Sequence, residues 1–181
     1  MSIRFAIPSD LEAISKLHNE SVRNLDALWT ETPETFEERV AWYEEKQRLA
    51  LPILIAEDKN GAFLGYAYYG SFRGRSGYNK TVEHSIYLED RARGKGIGSQ
   101  LLSRLIEIAR QQGYHVMVGA IESKNEQSIA LHLKHGFEIS GTLPEVGQKY
   151  GRWLSLTLMT INLEDCFKEQ TKNETKQIEL A

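Results

Sequence analysis

The stretch Tyr87-Leu88-Glu89-Asp90-Arg91-Ala92-Arg93-Gly94-Lys95-Gly96-Ile97-Gly98-Ser99-Gln100-Leu101-Leu102 allows the chain few ways to fold. It starts in an apolar strand, passes through a basic, glycine-rich turn and enters an amphipathic helix. Such a turn aims successive backbone N–H groups at one point and puts a helix N-terminus behind them, an arrangement that attracts phosphate. The helix carries Leu101, Leu102, Leu105, Ile106, Ile108 and Ala109 on one broad face. Gly113 suits the left-handed residue that closes it, and a strand from His115 to Ile121 follows. The unit from Thr81 to Ile121 therefore reads as two parallel strands joined by a right-handed crossover.

The other elements fit around that unit. Ile3 to Ile7 reads as a short strand. Ser9 or Asp10 can cap a helix that carries Leu11, Ile14, Leu17 and Val22 on one stripe and ends near Leu25. Trp29-Thr30-Glu31-Thr32-Pro33 breaks the pattern. A second helix follows, with Phe36, Val40 and Tyr43 on a face and Trp42 nearby. Ile53 to Glu57 and Phe63 to Phe72 read as strands joined through Asp58-Lys59-Asn60-Gly61, whose Asn-Gly pair signals a tight hairpin. A basic loop, Arg73-Gly74-Arg75-Ser76-Gly77-Tyr78, leads into the strand Thr81 to Leu88. Asn125 can cap a helix running to about His135, closed by Gly136. Phe137 to Ser140 reads as a short strand, Leu143 to Arg152 as a loop and Trp153 to Ile161 as the last strand.

The resulting order, β-α-α-β-β-β-α-β-α-β-β, predicts one α/β (α+β) domain over 1–162. Its central sheet is mixed and partly antiparallel, and helices flank it. Residues 163–181 read as a polar, frayed tail. A chain of 181 residues with 41% hydrophobic content suits one well-buried core. A net charge of −3 provides no global field for nucleic acid. No apolar run approaches membrane-spanning length, and no signal peptide is evident. Cys166 is the only cysteine, so an intrachain disulfide is excluded. The reading is a reduced, cytoplasmic protein. No His or carboxylate spacing points to a metal.

The turn fits neither of two common phosphate loops. A Walker loop needs Ser or Thr after its lysine, and Gly96 follows Lys95. A dinucleotide fingerprint needs a third glycine where Ser99 stands. Arg93-x-x-Gly96-x-Gly98 instead resembles the Arg/Gln-x-x-Gly-x-Gly/Ala signature of the GNAT acyltransferase superfamily. Asn125, Ser128 and Leu131-His132-Leu133-Lys134-His135-Gly136-Phe137 resemble a second segment of that superfamily. Three further stretches look like the phosphinothricin / methionine sulfoximine N-acetyltransferases: Tyr78 to Tyr87, His115 to Ile121 and Gly147 to Trp153. Trp29 to Pro33 resembles their early loop.

The resemblance implies acetyl-CoA as cosubstrate, no metal, a homodimer and a small glutamate-like amino acid as acceptor. Backbone groups along Ser85, Ile86, Tyr87 and Leu88 would pair with the pantetheine arm. Arg93, Gly94, Lys95, Gly96, Ile97 and Gly98 would hold the pyrophosphate, with Asn125 and Ser128 nearby. The acceptor would meet Phe72, Arg73, Gly74, Arg75, Val82, His84, Lys149 and Tyr150.

Two arginines in one loop can bind a carboxylate in bidentate fashion. Transfer to an amine requires the free base, since an ammonium has no lone pair. Strand alternation puts Glu83 on one face with Ser85 and Tyr87, and a carboxylate set in an apolar strand is a candidate base. His132 occupies a position where many GNAT enzymes carry Tyr. An imidazole there can donate or relay a proton. His135, beside the helix-ending glycine, reads as a partner of the helix dipole. Trp153 reads as core, and an apolar face on the early helices as a surface for dimerisation.

Overall fold

The computed structural model describes residues 1–164. Its sheet has seven strands: β1 (Ser2–Phe5), β2 (Ile53–Glu57), β3 (Phe63–Ser71), β4 (Thr81–Leu88), β5 (Val116–Glu122), β6 (Glu138–Lys149) and β7 (Arg152–Asn162). They lie in the order β1-β2-β3-β4-β5-β7-β6. Among the described residues only β4 and β5 pair in parallel, and the remaining neighbours are antiparallel. Among the described residues four α-helices flank the sheet: α1 (Leu11–Asn24), α2 (Phe36–Arg48), α3 (Ile97–Gln111) and α4 (Glu126–Lys134).

Burial follows the two periodicities. The apolar face of α3 packs with Val82 of β4, Met117 and Ile121 of β5 and Met159 and Ile161 of β7 in the larger core cluster. Leu11, Ile14 and Leu17 of α1 pack on the opposite side of the sheet with Ile53, Ile55, Tyr66 and Tyr87. Alternation in β4 therefore sends Val82 and Tyr87 into different cores. The α1 stripe and the β-α-α-β-β-β-α-β-α-β-β order match the sequence reading.

Local capping differs in detail. Thr35 caps α2 by accepting from the Glu38 N–H, and Glu38 accepts in return from the Thr35 N–H. Asp10 does not cap α1 with its side chain. Its carboxylate instead binds Arg4 at 2.7 and 2.8 Å and the Ile7 N–H at 2.7 Å. The β2–β3 connection is also not a two-residue hairpin. Asp58 Oδ1 accepts from Asn60 and Ala62, and Gly61 alone takes positive φ.

The largest correction concerns the end of the chain. β6 is a 12-residue strand where a short strand and a loop were expected. Register shifts between Ile139 and Gly141 and between Leu143 and Gly147 absorb its irregular pattern. It lies at the sheet edge, where Pro144 and glycines cost little pairing. Trp153 is 61% exposed, contrary to its reading as core.

Val40, Trp42 and Tyr43 pack against the sheet, which leaves Phe36 and Leu49 as the exposed large apolar residues of α2 and its end. The domain also extends past 162. Leu163 is fully buried and donates its N–H to the His115 carbonyl. The remainder of the expected tail, with Cys166, lies outside the described residues. No helix among the described residues is long and apolar enough to cross a membrane.

Candidate active site

The parallel ladder between β4 and β5 stops at His84↔Gly119, although β4 continues to Leu88 and β5 to Glu122. The two strands part there and form a fork. Beyond it, Ser85 to Leu88 pair with β3 on one side only. Their other edge is free of strand pairing and leads to the glycine-rich turn.

That turn is built as its sequence suggests. Asp90–Ala92 makes one 3-10 turn, and Arg93 donates its N–H to the Asp90 carbonyl. Gly94 (φ +70°) and Gly96 (φ +77°) take the left-handed conformation that L side chains avoid. Gly96 stands at the N-cap of α3 without a side-chain cap, so the first N–H groups of the helix face outward. Gly98 is buried, and a Cβ there would lie 3.5 Å from Leu88 and 3.6 Å from Leu131. The helix start is thus packed against the end of β4. Lys95 and Arg93 are exposed, and Arg93 pairs with Asp90 at 3.2 Å. A groove of about 600 Å³ between α1 and this turn is lined by Lys16, Glu20, Asn24, Leu88, Arg91 and Arg93. The sequence offered no signal for Lys16, which comes from a distant helix.

Glu83 shares the α1 face of β4 with Ser85 and Tyr87. Cross-strand pairs set Gly70 opposite Glu83, Tyr68 opposite Ser85 and Tyr66 opposite Tyr87. The three tyrosines stack with centroids 4.9–6.5 Å apart and form an aromatic wall beside the carboxylate. Burial pushes the Glu83 carboxyl above its usual range, and the Arg73 guanidinium partly opposes that. Arg73 and Arg75 lie in the loop beyond β3, and Arg73 stacks over Phe72 at 4.9 Å. A Cβ at Gly74 would meet nothing within 4 Å.

Lys46 of α2, absent from the sequence reading, lies buried over Tyr68 and donates to the Tyr69 carbonyl at 3.0 Å. The missing side chain of Gly70 makes room for it. Burial pulls its pKa down to about 8. Its signal was obscured because Lys46 sits in a helix rich in charged residues.

His132 and His84 meet on the α3 side of the fork. Their Nε2 atoms are 2.9 Å apart, and His132 Nδ1 is 2.6 Å from the Ser128 carbonyl. Asn125 caps α4 by accepting from the Ser128 N–H at 3.0 Å. Val82 is buried in the α3 core on this same face. Glu83 and the histidine pair therefore stand on opposite faces of one strand. His135 is not a charged dipole partner. Its ring bonds Ser99 (2.7 Å) and Ser103 (3.4 Å) of α3, and burial lowers its pKa.

The β6–β7 tip closes over the early loop. Lys149 is buried and donates to the Leu25 carbonyl, and the Tyr150 N–H donates to Glu31 at 2.6 Å. Arg152 binds Asp26 through two bonds of 2.7 and 3.0 Å. Trp29 packs so closely on Gly147 that a Cβ there would overlap its ring. Tyr150 is exposed with φ +48°. Sequence reasoning singled out both segments but gave no sign that they touch.

The Acetyltransferase (GNAT) domain family matches residues 3–158. An L-methionine sulfoximine/L-methionine sulfone acetyltransferase of Pseudomonas aeruginosa is 54% identical over 163 residues, covering 90% of this chain and 95% of that one. A phosphinothricin N-acetyltransferase of Alcaligenes faecalis is 35% identical and covers 87% and 80%.

Among solved structures, a Salmonella typhimurium acetyltransferase with its cofactor acetyl-CoA superposes with a TM-score of 0.88 at 46% identity, covering 90% and 94%. A ribosomal-protein-alanine N-acetyltransferase from Brucella melitensis gives 0.87 at 45%, covering 90% and 99%. With a forked β4–β5 pair, an uncapped glycine turn and matches that span nearly the whole described domain, the chain belongs to the GNAT acetyltransferase family.

Proposed function

We propose that the protein transfers the acetyl group of acetyl-CoA to the α-amine of a small glutamate-like amino acid: methionine sulfoximine, methionine sulfone or phosphinothricin. The fork carries this reading. An unpaired strand edge runs from an anion-binding turn to the point where the half-buried Glu83 carboxylate stands.

The thioester supplies an activated acyl group, and the chain's residues hold and orient the two partners. Arg93 to Gly98 bind pyrophosphate through backbone N–H groups and the start of α3. Ser85 to Leu88 offer main-chain partners to the pantetheine arm, with Asn125 and Ser128 beside the fork. Glu83 takes the proton from the acceptor's ammonium, and the free amine attacks the thioester carbonyl directly with no acyl-enzyme; the C–S bond breaks, and coenzyme A leaves as the thiol on taking up the proton that the nitrogen sheds as the amide forms. His132 borders the fork on the far face.

Val82, expected on the acceptor side, is buried in the α3 core on the other face of β4. Arg73 and Arg75, with Phe72 and Gly74, form the acceptor side. Their cationic loop suits a carboxylate, whereas a polyamine pocket would be acidic. Lys149 and Tyr150 close it from the late hairpin. A cytoplasmic setting supplies both substrates.

An acetylation screen tests the acceptor. Methionine sulfoximine, its sulfone and phosphinothricin should turn over with kcat/KM well above that of spermidine or an alanine-terminated ribosomal peptide. Preference for the peptide would move the assignment toward the acceptor named for the Brucella protein.

We also infer a homodimer built on the β6–β7 edge. Ile139, Leu143 and Val146 of the long edge strand β6, with its free pairing groups, are exposed there, as is Trp153 of the adjoining β7. Trp153→Glu should convert a dimer to a monomer in sedimentation or light scattering, with the melting temperature nearly unchanged. A variant that stays dimeric would place the interface elsewhere.

A further inference from the structure

The hydrogens of the histidine pair can be assigned one by one. A backbone carbonyl only accepts, so the Ser128 oxygen 2.6 Å from His132 Nδ1 requires a hydrogen on that nitrogen. In a neutral ring, His132 Nε2 is then the acceptor. The hydrogen between the two Nε2 atoms, 2.9 Å apart, therefore belongs to His84. His84 Nδ1 carries a lone pair, is buried and has no hydrogen-bond partner among the described residues. The chain has one direction: His84 donates to His132, and His132 donates to Ser128.

The surroundings hold this arrangement tightly. The rings lie within 21° of parallel with centroids 4.9 Å apart, and Phe137 stands edge-on to both. A Cβ on Gly119 would lie 3.0 Å from His132 Cδ2 and Nε2 and 3.4 Å from His84 Nε2. A side chain at this ladder end would press on both rings, so the glycine gives the pair its room. Orienting partners of this kind fix the tautomer of a working imidazole.

We propose that His84 is a positioning residue for His132, donating its Nε2 hydrogen to fix that ring's tautomer and orientation where β4 and β5 part. This rests on the acyltransferase reading of the fork. It changes the part His132 can play. Burial, with His132 beside it, pulls His84 down to about 3, and burial lowers His132 as well. The charged groups acting on the pair are His132 on His84 and His135 on His132. At neutral pH both rings are uncharged, so the pair borders the fork as an oriented dipole and not as a store of protons.

Nitrogen-15 NMR of the imidazoles in the full chain tests this directly. At pH 7, His132 should be the Nδ1–H tautomer and His84 the Nε2–H tautomer. His84→Leu should let His132 exchange tautomers and lower kcat on the order of tenfold to a hundredfold, the scale of a small misplacement. KM for acetyl-CoA should change less than about twofold, because the turn and β4 edge that hold it are untouched. His84→Gln, whose amide can donate the same bond, should recover most of the kcat and the single tautomer.

An Nε2–H tautomer for His132 in the wild-type chain overturns the proposal, as does a His84→Leu variant with unchanged kcat and His132 signals. The tautomers decide the matter even if His84→Leu fails to fold. If they are as stated but no amine is acetylated, the proposed function fails and the hydrogen-bond order stands.

Discussion

Glu83→Gln should lower kcat by about 10²–10⁴-fold near neutral pH, the usual contribution of a positioned base. Glu83 is set in β4 between two buried neighbours, Val82 and His84, and faces the tyrosine wall. Among the described residues it forms no salt bridge, so it is not committed to a structural partner. Burial raises its pKa, which brings a carboxylate closer to the proton affinity of an amine. The deficit should be largest at lower pH and shrink above about pH 8, where α-amines begin to lose the proton unaided.

The affinity for acetyl-CoA should not change, because the turn and the β4 edge keep their shape. Arg73→Gln gives the opposite sign to test: without that cation the Glu83 pKa rises further, and the acid limb of kcat/KM should move to higher pH. A Glu83→Gln enzyme whose pH–rate curve runs parallel to wild type would remove Glu83 from the role.

The stability consequence separates this from misfolding. The folded chain holds the Glu83 proton more tightly than the unfolded chain. Its contribution to stability therefore falls as pH rises from the ordinary carboxylate range through the raised value. At neutral pH the buried charge is a cost, and Glu83→Gln should melt no lower than wild type. A function-bearing group set against stability is the pattern expected at an active site.

What the sequence made legible tracks what local rules control. Period and turn chemistry placed α3, because Gly94 and Gly96 need positive φ and the leucine face has one destination. Alternation put Glu83 and His84 on opposite faces of β4, because a strand cannot do otherwise. β6 was misread because Gly141, Pro144 and Gly147 look like loop residues. Pairing with β7 overrides that propensity, and two register shifts absorb the misfits. The histidine pair, Lys46 over Tyr68 and Trp29 on Gly147 were invisible for another reason. Each joins residues far apart in sequence, and in each a missing side chain on one strand admits a large one from another element. A lone glycine in a strand was the only trace, and by itself it names no partner.

Gly65 shows how far such a trace can reach, and Gly65→Ala should be the most damaging single methyl in the chain. Gly65 has φ +155° and pairs with Leu88 of β4 next to the β2–β3 irregularity. A Cβ would overlap the Tyr87 carbonyl oxygen and lie 3.0 Å from Leu88 Cα, both backbone atoms that no rotamer change can move. β4 cannot simply shift away. The Leu64 carbonyl accepts the Glu89 N–H at 3.0 Å, and Leu88 is wedged against the start of α3 at Gly98.

Backbone strain of about 1–3 kcal/mol and overpacking of about 1–3 kcal/mol should combine to roughly 4 kcal/mol. For a domain of this size that lowers the melting temperature on the order of 10 °C. Gly61→Ala is the control: its φ is +80°, but nothing lies within 4 Å, so it carries strain without a clash. If both variants melt alike, the close approach is not what demands glycine. If Gly65→Ala melts far lower and the surviving folded fraction binds acetyl-CoA weakly, then one β3 residue, through the end of β4, sets the geometry of the phosphate turn.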